Sequence, residues 1–208
     1  MKIGILAYGS LIEDPGIEIE PLITEKISNV ETPFPLEFAR TSKTRDGAPT
    51  LVPVESGGSS VTGTILVLDG SVDLDGAKNI LWRRERRIEN SGKVYQEVVN
   101  PSPNKVIVEV LENFNHLDYV LYTKIGANIE GLTAERLADL AIESARMKAG
   151  EKVEDGISYL LSVKRQGIKT PLMEHYEQAL LNKMAVKTLD EALERINTEK
   201  QKKLLQPR

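Results

Sequence analysis

The hydrophobic pattern of the chain changes its period near residue 130. Before it, short runs of apolar and β-branched residues alternate with clusters of Gly, Pro and Ser; after it, apolar residues recur at helical spacing. A spacing of two returns side chains to one face of a strand, and a spacing near 3.6 returns them to one face of a helix. The expected fold class is therefore α+β: a mixed, largely antiparallel curled sheet or small β-barrel, with flanking helices and a helical C-terminal segment. The expected organisation is a β-rich core over 1–130 and a helical segment over 131–208 packed on it. A length of 208 residues suits one domain, or one with an added helical segment, and is enough to bury a sizeable core.

The spacing predicts strands at Lys2–Ala7, Pro35–Ser42, Thr50–Glu55, Thr62–Asp69, Val94–Val99 and Lys105–Leu111, with a shorter one near Tyr119–Thr123. Arg45-Asp46-Gly47 and Ser56-Gly57-Gly58-Ser59 read as turns. One helix, from Asp75 to about Asn90, interrupts the strands. It carries Ala77, Ile80, Leu81 and Ile88 near one face, with Trp82 beside them and Asn90 and Gly92 as stop signals. Beyond Leu132 two or three helices follow. Thr133 caps the first of them and Pro171 opens a later one, and the stretch from Thr188 is charged and amphipathic.

The composition, 40% hydrophobic and 28% charged, is that of a globular chain, and a net charge of −4 gives no nucleic-acid footprint. The absence of cysteine rules out disulfides and a thiolate nucleophile and suits a cytoplasmic location. The run Met1–Ser10 lacks the long apolar region of a signal peptide, and no stretch reaches the length of a membrane span, so no membrane partner is expected. His116 and His175 stand far apart without metal-ligand spacing, so no metal site is expected.

The remaining tools for chemistry are carboxylates, hydroxyls and backbone amides. The strand Lys2–Ala7 runs directly into Tyr8-Gly9-Ser10-Leu11, and Asp14-Pro15-Gly16 breaks the chain soon after. A glycine there is either an ordinary strand-to-loop turn or a place where successive N–H groups converge on one anion or carbonyl oxygen. Further on, Arg83, Arg84, Arg86 and Arg87 surround the single acid Glu85. Such a segment is either a solvated face with local ion pairs or, because Glu85 lies one turn from Leu81, a carboxylate at the edge of the apolar stripe. A carboxylate so placed can serve as general base and then acid; the residues alone leave both readings open.

Four blocks together resemble the γ-glutamylcyclotransferase superfamily, nearest its ChaC-like branch. Tyr8–Leu11 is similar to the opening signature of that family. Phe38–Leu68 is similar to its next block of a turn and strand pair, and Ile80–Glu85 ("ILWRRE") to the end of its helix. Asp155–Ile168 is similar to the C-terminal segment of the ChaC branch, which acts on glutathione. The resemblance implies an enzyme that closes the γ-glutamyl part of a small molecule into 5-oxoproline, without cofactor, metal or thiol. It implies that Glu85 is the catalytic acid/base and that Tyr8, Gly9, Ser10, Leu11 and Tyr95 hold the substrate. Two departures stand out. Tyr95 follows Glu85 at a greater distance than in the family, which makes Glu89 a rival for the catalytic place, and Ile12-Glu13-Asp14 replaces an aromatic common in the ChaC branch. The alternative is a non-catalytic ligand-binding or interaction protein that keeps the fold.

Overall fold

The computed structural model describes residues 1–204. The fold is mixed α+β, and the chain divides into two compact units. The first comprises 1–35 and 60–126, the second 36–59 and the described residues from 127 to 204. The segment 36–59 thus belongs with the helical part of the chain, although it lies well before residue 130.

The first unit is built on strand β1 (Ile3–Ala7), every residue of which is buried. A continuous apolar run of this kind suits a strand covered on both faces. Helix α1 (Ser10–Glu13) is a single turn that follows it, and a 3₁₀ turn at Glu20–Leu22 leads into β2 (Ile23–Glu31). Strand β5 (Thr62–Leu68), helix α2 (Leu74–Glu85), β6 (Ile107–Phe114) and β7 (Leu117–Lys124) complete the unit. The strand order is β2-β5-β1-β7-β6; β1 runs parallel to β7, and every other pairing is antiparallel. The sheet is open, with β2 and β6 at its edges, rather than a closed barrel. Gly4 allows this packing at the centre, since a Cβ there would stand 2.5 Å from Cγ2 of Ile65.

Successive β1 side chains feed two apolar clusters. Ile3, Ile5 and Ala7 join Ala77, Ile80, Leu81 and Trp82 of α2, while Leu6 joins Val30, Ile65, Leu117 and Val120. The period of two along a strand makes this split unavoidable. Each fully buried Leu or Ile contributes about 1.5–3 kcal/mol relative to exposure. Asp73 caps α2, its side chain accepting from the Gly76 amide at 2.7 Å.

One strand of this unit is unanticipated, and two expected elements are corrected. β2 is a strand that the apolar pattern hides, because Ile23, Ile27 and Val30 are its main apolar residues and two register shifts break their spacing. The Val94–Val99 run pairs with no strand; Val94 and Val99 are exposed, and the segment 86–106 is irregular. Helix α2 ends at Glu85, not Asn90. Arg87 turns left-handed at φ 52°, its amide bonds the Arg84 carbonyl, and the Ile88 amide bonds the Arg83 carbonyl, both at 3.0 Å. That double closure is a Schellman motif, with Ile88 returning to the α2 cluster as its apolar contact.

In the second unit, β3 (Leu36–Ser42) and β4 (Ala48–Pro53) form an antiparallel hairpin. It is grouped with α3 (Ala134–Arg146), the single turn α4 (Lys148–Glu151), α5 (Gly156–Arg165), α6 (Met173–Met184) and α7 (Leu189–Leu204). Thr133 caps α3 and Asp155 caps α5 through side-chain acceptors. Buried Glu37 on β3 accepts from the Phe38 amide at 2.8 Å, the Thr170 hydroxyl at 2.6 Å and the Leu172 amide at 3.0 Å, which ties the hairpin to the start of α6. The amphipathic α7 buries Leu189, Ala192 and Ile196.

Candidate functional site

The turn after β1 is shaped by Gly9. It stands at φ 60°, ψ −134°, a conformation that side chains strongly disfavour, and it precedes α1 directly. The Asp14 amide bonds the Ser10 carbonyl at 2.9 Å and the Ile12 amide bonds the Gly9 carbonyl at 3.2 Å, closing the turn. A glycine at this cap has no side chain to cover the Ser10 and Leu11 amides that open the helical turn. The turn is anchored on both apolar clusters. Leu11 is buried among Ile80, Leu81 and Trp82. The Tyr8 hydroxyl donates to the Thr123 carbonyl at 3.2 Å, and its ring meets Phe34 edge-on, which in turn stacks on Tyr122 at 4.2 Å. Burial, and then the Glu109 carboxylate, raise the Tyr122 phenol above its ordinary pKa. Ser10 is half-buried.

Glu85 is the last residue of α2, and its side chain is 26% exposed. A carboxylate at a helix C-terminus meets the negative end of the helix dipole. The Arg84 guanidinium offsets that repulsion: Nη1 donates to Oε1 of Glu85 at 2.7 Å. The same guanidinium turns its other edge to the chain just past the Gly9 turn, where Nε donates to the Asp14 carbonyl at 3.1 Å and Nη2 bonds the same oxygen. Arg83 reaches Glu18 with an Nε–Oε2 distance of 2.8 Å and donates to the Lys93 carbonyl. Arg86 lies over the Trp82 ring, 5.1 Å from its centroid. Two of the arginines are therefore committed to the segment 14–18 instead of to solvent.

Glu89 lies beyond the helix. Its Oε1 is 3.5 Å from the Glu18 amide, and it stands beside Gly16, where a Cβ would collide with it. Tyr95 is half-buried and spoken for at both ends: its amide donates to Oδ1 of Asn79 at 2.6 Å, and its hydroxyl accepts from the Val108 amide at 3.1 Å. Its ring leans on Trp82. Tyr95 thereby pins the irregular 86–106 segment to α2 and β6.

The structure brings Leu11 and Tyr95 into one apolar cluster and connects Glu85 to the chain just past the turn through Arg84. Sequence reasoning missed Arg84, Gly16 and Glu18 as members of this assembly. For Gly16 and Glu18 the signal was the Asp14-Pro15-Gly16 breaker; the bond of Arg84 to a backbone carbonyl left none. A separate open groove of about 290 Å³, lined by Thr41, Asn128, Ile129, Glu130, Arg136 and Leu140, lies in the second unit and includes none of these residues. Among the described residues no cluster of three or more His, Cys, Asp or Glu is arranged to hold a metal ion. No described helix is long and apolar enough to cross a membrane.

The first unit thus presents an open α+β sheet with a glycine turn at the end of its central strand and a tethered carboxylate at the end of its helix. No protein-family model matches the chain, and no curated protein matches it.

Proposed function

We propose that the protein is a γ-glutamylcyclotransferase-like enzyme that releases 5-oxoproline from glutathione or another small γ-glutamyl compound, with a cytoplasmic location. The observation that carries this reading is the Arg84 tether, which makes the Gly9 turn and the Glu85 carboxylate parts of one bonded assembly. The turn contributes the Ser10 and Leu11 amides, which no side chain caps, and Glu85 contributes a carboxylate suited to proton transfer. The reaction needs little more. Glu85 takes a proton from the substrate α-ammonium; the freed amine attacks the γ-carbonyl carbon of the same molecule and forms the ring C–N bond. Amides of Ser10 and Leu11 stabilise the oxyanion. The bond to the leaving nitrogen then breaks; that nitrogen receives the proton held by Glu85, and the surplus proton of the ring nitrogen passes to the carboxylate so freed and from it to the released amine or solvent. Tyr8 and Leu11 act by fixing the turn, and holding the glutamyl chain folded back supplies the proximity.

The test is incubation with glutathione, γ-glutamyl-alanine and other γ-glutamyl compounds while following 5-oxoproline. Turnover that falls about 10²–10⁴-fold in Glu85→Gln supports the reading. Retained turnover in Glu85→Gln with loss in Glu89→Gln transfers the role to Glu89. A second reading, a binding protein without turnover, draws on the Glu85–Arg84 pair, which already engages the carboxylate that catalysis needs. Ligand-induced stabilisation by the same compounds without 5-oxoproline release selects it.

A further inference from the structure

Resting on that reading, we infer that Arg84 is the positioning residue of the reaction: it clamps the Glu85 carboxylate and the main chain at Asp14 in one fixed relation. The guanidinium is a planar fork with five N–H donors, and here its two edges serve different masters. One edge, Nε and Nη2, is spent on the Asp14 carbonyl, and Nη1 is spent on Oε1 of Glu85. A rigid plane bonded on both sides transmits position, which a flexible ammonium cannot do. The Arg84 side chain is 12% exposed and its bond to Glu85 is partly buried, while its bonds to the Asp14 carbonyl lie at the surface.

The backbone has been shaped to admit the clamp. Gly16 stands at φ +88°, and a Cβ there would come within 2.8 Å of Cγ of Arg84. The chain can pass this close to the arginine stem because Gly16 has no side chain. Beyond it, Ile19 is fully buried in the same cluster as Leu81, and the Glu20 amide bonds the Gly16 carbonyl at 2.9 Å. The segment that follows the Gly9 turn is therefore held at one end by Leu11, at the other by Ile19, and between them by Arg84. Arg83 supports it from the preceding helical position through Glu18. Arg84 needs no contact with substrate to matter. It acts through Glu85, whose oxygen must stay where the α-ammonium proton is delivered.

The experiment compares the full-length wild type with Arg84→Gln, Arg84→Lys and Arg84→Ala, and with Arg86→Gln as a control that touches neither partner. The substrate is whichever of glutathione and γ-glutamyl-alanine the wild type converts faster, and 5-oxoproline is measured. Deuterium uptake of the peptide covering 12–20 reports the clamp without reference to activity. Arg84→Gln is expected to lose about 10–100-fold in kcat with KM little changed, as a misplaced proton acceptor does. Arg84→Lys is expected to fall between, since an ammonium cannot span both partners, and millimolar guanidinium is expected to restore part of the activity of Arg84→Ala but none in Glu85→Gln. Uptake at 12–20 rises in Arg84→Gln and not in Arg86→Gln. Wild-type turnover with an undiminished kcat in Arg84→Gln overturns the positioning role and leaves the enzyme reading intact. Unchanged uptake at 12–20 in Arg84→Gln overturns the clamp, whatever the activity. No 5-oxoproline from the wild type overturns the enzyme reading, and the positioning role with it.

Discussion

Replacing the most deeply buried tyrosine of the second unit should make the protein more stable. Tyr176, on α6, is fully buried, and its ring packs edge-on against Phe38 with centroids 5.4 Å apart. Its hydroxyl has no hydrogen-bond partner among the described residues. An unsatisfied buried hydroxyl costs about 1–3 kcal/mol in lost hydration. Tyr176→Phe removes that cost, keeps the ring contact and leaves a void of a single oxygen, so the net gain is about 1–2 kcal/mol. In a chain of this size each kcal/mol moves the melting temperature by about 2–4 °C. Thermal and urea unfolding should therefore show a rise of about 2–8 °C. The same residue predicts a pH signature. Burial, then the Asp155 and Tyr159 charges, raise the Tyr176 phenol above its ordinary pKa of about 10. A raised pKa contributes stability that is present below the unfolded value and lost as pH climbs above it. The advantage of Tyr176→Phe over wild type should therefore widen above about pH 10. A variant that melts below wild type at neutral pH refutes the reasoning, because it would mean that the hydroxyl is satisfied.

The other predictions concern the first unit. Gly9→Ala forces a side chain into a positive-φ conformation and should cost about 1–3 kcal/mol in urea unfolding, while Ser10→Ala, which keeps the backbone donor, should cost almost nothing. Equal, small effects of the two would show that the turn geometry is not what holds Gly9 in place. Asp73→Ala should lose about 1 kcal/mol by uncapping α2, checked by the same unfolding assay, and Asp73→Asn should lose little. Glu85→Gln should abolish 5-oxoproline release without a change in melting temperature large enough to signal unfolding, since its carboxylate is bonded to a neighbour already held by Asp14.

Local rules made much of this molecule legible from its residues. An unbroken apolar run made β1 a buried strand, the shift of hydrophobic period separated sheet from helices, and Thr133 marked the start of α3, because each of these depends on neighbours within a few positions. The glycine turn after β1 was readable for the same reason: a strand, a glycine and a breaker are contiguous. Contacts between distant segments decided the rest. β2 has only Ile23, Ile27 and Val30 as apolar residues, at irregular spacing, and is a strand because β5 offers it hydrogen bonds. Val94–Val99 has the composition of a strand but finds no partner; Tyr95 bonds Asn79 and Val108 instead. Helix α2 stops at Glu85 because Arg87 accepts a left-handed conformation that Ile88 stabilises by returning to the core, and that stop sets where Glu85 sits. The hairpin at 36–59 is grouped with helices that begin after residue 130, and the buried Glu37 carboxylate bonds residues 170 and 172 across that interval. Arg84 looked like one cation among several on a solvated helix face. Its target, the Asp14 carbonyl, is a backbone atom seventy positions away, and no side-chain pattern encodes a bond to a carbonyl, since every residue carries one.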